Sequence, residues 1–170
     1  MKNGMPRTRT AFVGLAGTHF AAAELSQRGY VATVTSRNTE GIDILASSAD
    51  GSRTVSIQVK TSGAEQRSRF TRSWIMQKKH EDVASDNFFY VFVDLKPTNE
   101  KPDFYIVPSK EVAHYIKRSH QEWLKKPGRG GKQHNDTTMR LFEIYDEAIA
   151  EKYLNKWEIL GLSPESARET

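Results

Sequence analysis

Residues 41–61 read GIDILASSADGSRTVSIQVKT, and the pattern of this stretch decides the fold. Its first part, Gly41-Ile42-Asp43-Ile44-Leu45-Ala46-Ser47, is an apolar strand with one acid set inside it. Asp50-Gly51 is a strong hairpin-turn signal, and residues 54–61 (TVSIQVKT) alternate as the returning strand. Successive side chains of a strand point to opposite faces, so Gln58 and Lys60 share one face while Ile57 and Val59 take the other. The short hairpin can carry Asp43 to the same spot. An acid, an amide and a lysine on one sheet face cost free energy unless they are paired or used, which marks the trio as a candidate site.

Working outward, residues 13–28 read as a helix of small and apolar residues stopped by Gly29, and residues 30–36 (YVATVTS) read as a strand. Residues 62–73 are polar and basic and predict a mobile loop. Residues 74–83 predict a short extended piece followed by a helix, with His80-Glu81-Asp82 on a solvated face. Residues 88–95 (FFYVFVDL) form the most apolar strand, covered on both faces, and 103–107 another. Ser109 is the expected cap of a helix reaching Lys125, with Val112, Ala113, Ile116 and Trp123 at helical spacing. Residues 126–136 (KPGRGGKQHND) form a flexible basic loop; 139–145 begin a strand or a helix; 146–160 read as a final helix ended by Gly161. Trp74, Trp123, Trp157 and the aromatics of 88–90 are read as packing residues.

The chemistry that would use such a trio is phosphodiester hydrolysis. A carboxylate holds a hard divalent cation that polarises the phosphate, and a second oxygen ligand sits two residues before a lysine. That lysine orients the attacking water or neutralises charge building up on the phosphate. Gln58 offers an oxygen ligand, a weaker one than a carboxylate.

These residues resemble the PD-(D/E)XK nucleases, and most closely the Mrr-like restriction endonuclease branch. There a G-[IV]-D-x-[IL]-A strand precedes a Q-x-K strand, here Gly41-Ile42-Asp43-Ile44-Leu45-Ala46 and Gln58-Val59-Lys60. A helix ending in a Gly-aromatic pair, here Gly29-Tyr30, leads into the strand. The resemblance covers residues 13–61. It implies an α/β, restriction-endonuclease-like core: a central mixed β-sheet flanked by helices, with a C-terminal helical appendage. The expected organisation is a nuclease core over 1–125, a basic glycine-rich loop over 126–138, and a helical extension over 139–170 packed on the same domain. It also implies Mg2+ (or Mn2+) held by Asp43, Gln58 and the Val59 carbonyl, with Lys60 as catalytic lysine. The family places an acid eleven residues before the Gly-aromatic pair, where this chain has Thr18. Glu24, on the same helix, is the candidate to stand in, which completes a catalytic set of Asp43, Gln58, Lys60 and Glu24.

Charge points to the same partner. Residues 51–79 carry seven Lys/Arg against Glu65, and residues 110–134 carry seven against Glu111 and Glu122. Residues 143–170 reverse the balance, with seven acids against three bases. Two basic tracts suit a polyanion, with DNA the expected nucleic acid. The contacts assigned to it are Arg67, Arg69, Arg72, Lys78, Lys79, Lys126, Arg129 and Lys132. A homodimer is allowed, as in similar folds. The absence of cysteine excludes disulfides and thiol chemistry. Residues 1–10 lack an apolar signal core and no stretch is long enough to span a membrane, so a soluble cytoplasmic protein fits best. The sequence thus predicts a metal-dependent DNA endonuclease. The alternative is a catalytically inactive nuclease fold that binds nucleic acid or a protein partner.

Overall fold

A computed structural model describes residues 7–36, 41–63, 72–97 and 99–163. Helix α1 (Arg7–Gln27) leads into β1 (Val31–Val34), β2 (Ile44–Ser47) and β3 (Thr54–Ser62). After β3 come β4 (Arg72–Gln77), a 3-10 turn (Lys78–Asp82), β5 (Phe88–Asp94) and β6 (Asp103–Pro108). Helix α2 (Ser109–Lys125), β7 (Met139–Ile144), the short α3 (Glu147–Tyr153) and a 3-10 turn (Trp157–Leu160) complete the chain.

The main sheet has the order β1-β2-β3-β5-β6. Only β3 and β5 are parallel; the other neighbours are antiparallel, so the expected mixed sheet is present. The hairpin forms at Asp50-Gly51, where Gly51 takes φ 73° and Asp50 Oδ1 accepts the Ser52 N–H at 3.0 Å.

The two faces of the sheet bury different clusters. On the back, α1 lays Ala21 and Leu25 on Ile44, Ala46, Val55, Ile57 and Val59, and Trp157, Leu160 and Leu162 join the same cluster. Gly17 lets the helix approach β3 closely, since a Cβ there would overlap the Thr61 side chain. The helix ends at Gly29 (φ 81°), whose N–H bonds the Ser26 carbonyl. On the front, β4 and β7 pair into a second, two-stranded sheet. Its Trp74, Met76, Phe142 and Ile144 cover Tyr90, Phe92, Tyr105 and Val107, with Val112 and Ile116 of α2. That layer lies over β5 and β6.

Three expectations change. Residues 139–144 are a strand, so the C-terminal extension is not helical throughout. The helix expected over 146–160 is broken after Tyr153, because the chain there serves the outer edge of β6. Leu154 bridges Tyr105, and Asn155, in a left-handed conformation (φ 55°), donates its N–H to the Phe104 carbonyl at 2.7 Å. Ser109 does not cap α2 with its side chain. Its buried hydroxyl is taken by Ser85, accepting that residue's N–H at 3.0 Å and donating to its carbonyl at 2.9 Å.

Candidate active site

The site is built where β2 diverges from β3. Ile44 is the first β2 residue in register, opposite Ile57. Asp43, just before it, donates its N–H to the Ile57 carbonyl at 2.9 Å and accepts the Thr35 N–H at 3.0 Å, which fixes its backbone. Its carboxylate then reaches across the fork, and Oδ2 accepts the Val59 N–H at 2.7 Å. Within a strand residue the N–H and C=O point to the same edge, so the Val59 carbonyl faces this fork too. Gln58 and Lys60, partly buried, flank Val59 on the front face, in register with Tyr90 and Phe92 of β5. The structure therefore brings Asp43, just ahead of β2, beside Gln58, Val59 and Lys60 of β3.

The second layer adds charge. His80 is buried in the 3-10 turn after β4, its ring edge-on to Tyr90 at 6.0 Å. Its Nδ1 accepts the Gln77 N–H at 3.0 Å, so the neutral ring carries its proton on Nε2. Burial, then the cations of Lys60 and Lys79, pull the imidazole down to about 4. Burial likewise depresses the Lys60 amine, Asp43 opposes that shift, and Lys79 adds to it. The turn thus holds a second lysine within electrostatic reach of the first.

His80 corrects the reading of residues 80–82 as a solvated face. His80 is buried, and Glu81 pairs with the buried guanidinium of Arg140, a strand residue of β7. The local sequence hid this, because the turn packs against α2 and Glu81 reaches β7, both far along the chain. Asp94 was also missed. It lies on the front face two residues beyond Phe92, buried, paired with Lys96 at 3.2 Å and 3.9 Å from Arg72. Its only sequence signal is an acid closing the most apolar strand.

The remaining candidates are distributed as follows. Glu24 is engaged by Arg28 at 2.5 Å and by Lys101 of the β5–β6 turn at 2.7 Å. The Thr18 hydroxyl donates to the Gly14 carbonyl at 3.1 Å. Arg72, besides Asp94, lies 3.9 Å from Glu147 and over the Tyr105 ring. Lys78 and Lys79 sit exposed on the 3-10 turn. Lys126, Arg129 and Lys132 are exposed in a loop closed by a Gly128 N–H to Lys132 carbonyl bond of 2.8 Å and by His134 stacked on Trp123 at 3.8 Å. This loop ends beside the turn, where Lys78 N–H bonds the Thr138 carbonyl at 2.8 Å and its amine lies 3.8 Å from Asp136. Arg67 and Arg69 lie outside the described residues.

The oxygens that face the fork are the Asp43 carboxylate and the Val59 carbonyl, and the Gln58 amide stands on the adjoining front face of β3. These are hard oxygens, and Mg2+ or Mn2+ is commonly bound by one or two carboxylates with water and phosphate oxygens completing the shell. The residues fit such an ion. Among the described residues no group of three or more His, Cys, Asp or Glu side chains that could hold a metal ion forms, at the fork or away from it. Nor, among them, is any helix long and apolar enough to cross a membrane.

No family model matches the sequence, and no curated protein matches it. Among solved structures the fold is similar to that of a bacterial homing endonuclease, I-Ssp6803I, with a TM-score of 0.57 over 95% of this chain and 98% of that one. Identity is 14%, so the likeness is one of α/β fold alone.

Proposed function

We propose that this chain is a cytoplasmic, divalent-metal-dependent DNA endonuclease of the PD-(D/E)XK type, Mrr-like in its Q-x-K strand. The observation that supports the reading is the Asp43–Val59 contact, which brings the Asp43 carboxylate across to β3 between Gln58 and Lys60. Asp43, Gln58 and the Val59 carbonyl would hold Mg2+ (or Mn2+), which would supply charge neutralisation at the scissile phosphate. Lys60 faces the phosphate from the front of β3 and stabilises the charge that builds up as the bond breaks. Burial makes that amine a less willing proton holder than a surface lysine, which suits it to orient a water as well. Lys79 lies within electrostatic reach of Lys60, and the exposed Lys78, Lys126, Arg129 and Lys132 of the 3-10 turn and the loop after α2 would track a phosphate backbone without reading bases. DNA as the substrate rests on the fold's similarity to a homing endonuclease.

The test is cleavage of plasmid, linear and branched DNA with magnesium or manganese, followed by chelator. Cleavage that chelator stops, and that is lost in Asp43→Ala and Lys60→Ala, is the expected result. Undiminished cleavage by both variants would discard the reading.

One observation favours a second reading, a nuclease fold that binds nucleic acid without cutting it. Glu24 is held by Arg28 and Lys101, and Thr18 is bonded within its own helix, so α1 offers the fork no free acid. Salt-sensitive DNA binding without cleavage under either metal would establish it.

A further inference from the structure

Strand β3 lies between β2 and β5, so Gln58 has the Asp43 fork on one side and β5 on the other. Its neighbour across the parallel pair is Tyr90, in register with it and on the same front face. Tyr90 is fully buried, and its hydroxyl is one of four buried side-chain polar atoms without a hydrogen-bond partner among the described residues. Rings wall it in: Phe92 stacks on it at 5.8 Å, Phe88 lies edge-on at 5.4 Å and His80 edge-on at 6.0 Å. Burial raises the pKa of the phenol, so the group stays a neutral hydroxyl that can both accept and donate. A phenylalanine would pack in the same place without the cost of an unpaired buried hydroxyl.

Glutamine brings a requirement that a carboxylate lacks. A carboxylate turns an oxygen to a cation whichever way its plane rotates, whereas an amide has one oxygen and an NH2 with two donors. A hard cation takes only the oxygen, and the NH2 must be turned away from it. Metal ligands are commonly held in their working orientation by a hydrogen bond to the atom that does not bind. At Gln58 that atom is Nε2, and the side away from the fork is the side of Tyr90.

We infer that Tyr90 is a positioning residue for Gln58: its hydroxyl oxygen accepts the Gln58 NH2, which turns the amide oxygen toward Asp43 and the cation. The fold leaves this hydroxyl unpaired, and the turn of one side-chain amide pairs it. His80, fixed by the Gln77 N–H on its Nδ1, holds the Tyr90 ring from the outer layer. This role rests on the metal-binding reading of the fork.

Mn2+ binding to the purified full chain, followed by the EPR signal of the free ion, tests this without cleavage. Tyr90→Phe should weaken binding about 10-fold, the range of lost hydrogen bonds to metal ligands. In a Gln58→Ala background the same change should have no further effect, since the hydroxyl then has no amide to hold. The melting temperature should not fall, because the atom removed has no partner within the fold. Unchanged Mn2+ affinity in Tyr90→Phe overturns the inference and leaves the metal reading standing. An equal loss with and without Gln58, or a clear fall in melting temperature, gives the hydroxyl another partner and overturns it as well. A native chain that binds no Mn2+ removes both the metal reading and this role. A native chain that binds Mn2+ with the expected pattern but leaves DNA uncut removes the endonuclease reading and keeps the role.

Discussion

The Oδ2 atom of Asp43 accepts the Val59 backbone N–H at 2.7 Å, so one carboxylate both seals the open edge of β3 and faces the candidate metal position. The two duties can be separated. Asp43→Ala leaves a strand N–H without its partner, at a cost of about 1–3 kcal/mol in urea unfolding. Asp43→Asn keeps an oxygen acceptor in place and should unfold close to the native chain. Both should cut DNA more slowly by roughly 100-fold or more, as for other losses of charge stabilisation. An asparagine variant that cuts at the native rate would remove Asp43 from the chemistry.

Lys60 should show the opposite sign in stability. Burial, aided by Lys79, depresses its amine below the ordinary 10.5, against the pull of Asp43. The folded chain therefore holds this proton less tightly than the unfolded chain. The charged amine weakens the fold at pH values below its depressed folded value, and the penalty fades as pH rises through the unfolded value. Lys60→Met, which fills the space without the charge, should melt at a higher temperature than the native protein at pH 7 and have no cleavage activity. A lower melting temperature contradicts the burial argument.

His80 gives a pH dependence in an acidic window. Its pKa falls from 6.5 to about 4 in the folded chain, through burial first and the neighbouring lysines second. Between these values the unfolded chain binds the extra proton, so stability is full above about 6.5 and is lost as pH falls toward 4. The loss should be on the order of 1–3 kcal/mol by pH 4, from the worth of a pKa unit. His80→Asn should flatten that part of a denaturation-versus-pH curve. An unchanged slope would place the acid sensitivity elsewhere.

The cationic flank makes a prediction about salt. Lys79→Ala, Lys126→Ala, Arg129→Ala and Lys132→Ala should each weaken binding evenly across DNA sequences and lower the log–log salt slope by about 1. Equilibrium binding on two unrelated duplexes at several salt concentrations reads both effects. A variant that changes preference between the duplexes without moving the slope is reading bases instead.

Much of the site was legible because it is local. The Asp50-Gly51 turn and the alternation of residues 54–61 placed Asp43 beside Gln58 and Lys60, and the hairpin has that register. The strand at 88–94 was equally plain from continuous apolarity, and both its faces are buried. What escaped was long-range. β4 acquires its partner from residues 139–144, so nothing near His80 announced its burial or the pairing of Glu81 with Arg140. The break after Tyr153 has the same origin: helical spacing continues in the sequence, but the vacant edge of β6 captures the backbone.

The parallel pairing of β3 with β5 also orders events in time. A parallel neighbour requires the chain to leave one end of β3 and return at the other, and that return carries β4, Lys79 and His80. Asp43, Gln58 and Lys60 can meet as soon as the local hairpin closes, whereas the layer facing them waits for β7. Contacts so distant along the chain carry a loop-closure cost that local hairpin contacts do not. A nascent or truncated chain ending before residue 109 would hold the acid, amide and lysine of the fork without α2, the helix packed against the turn that carries the second cation. The centre therefore reaches its full charge only in a finished molecule.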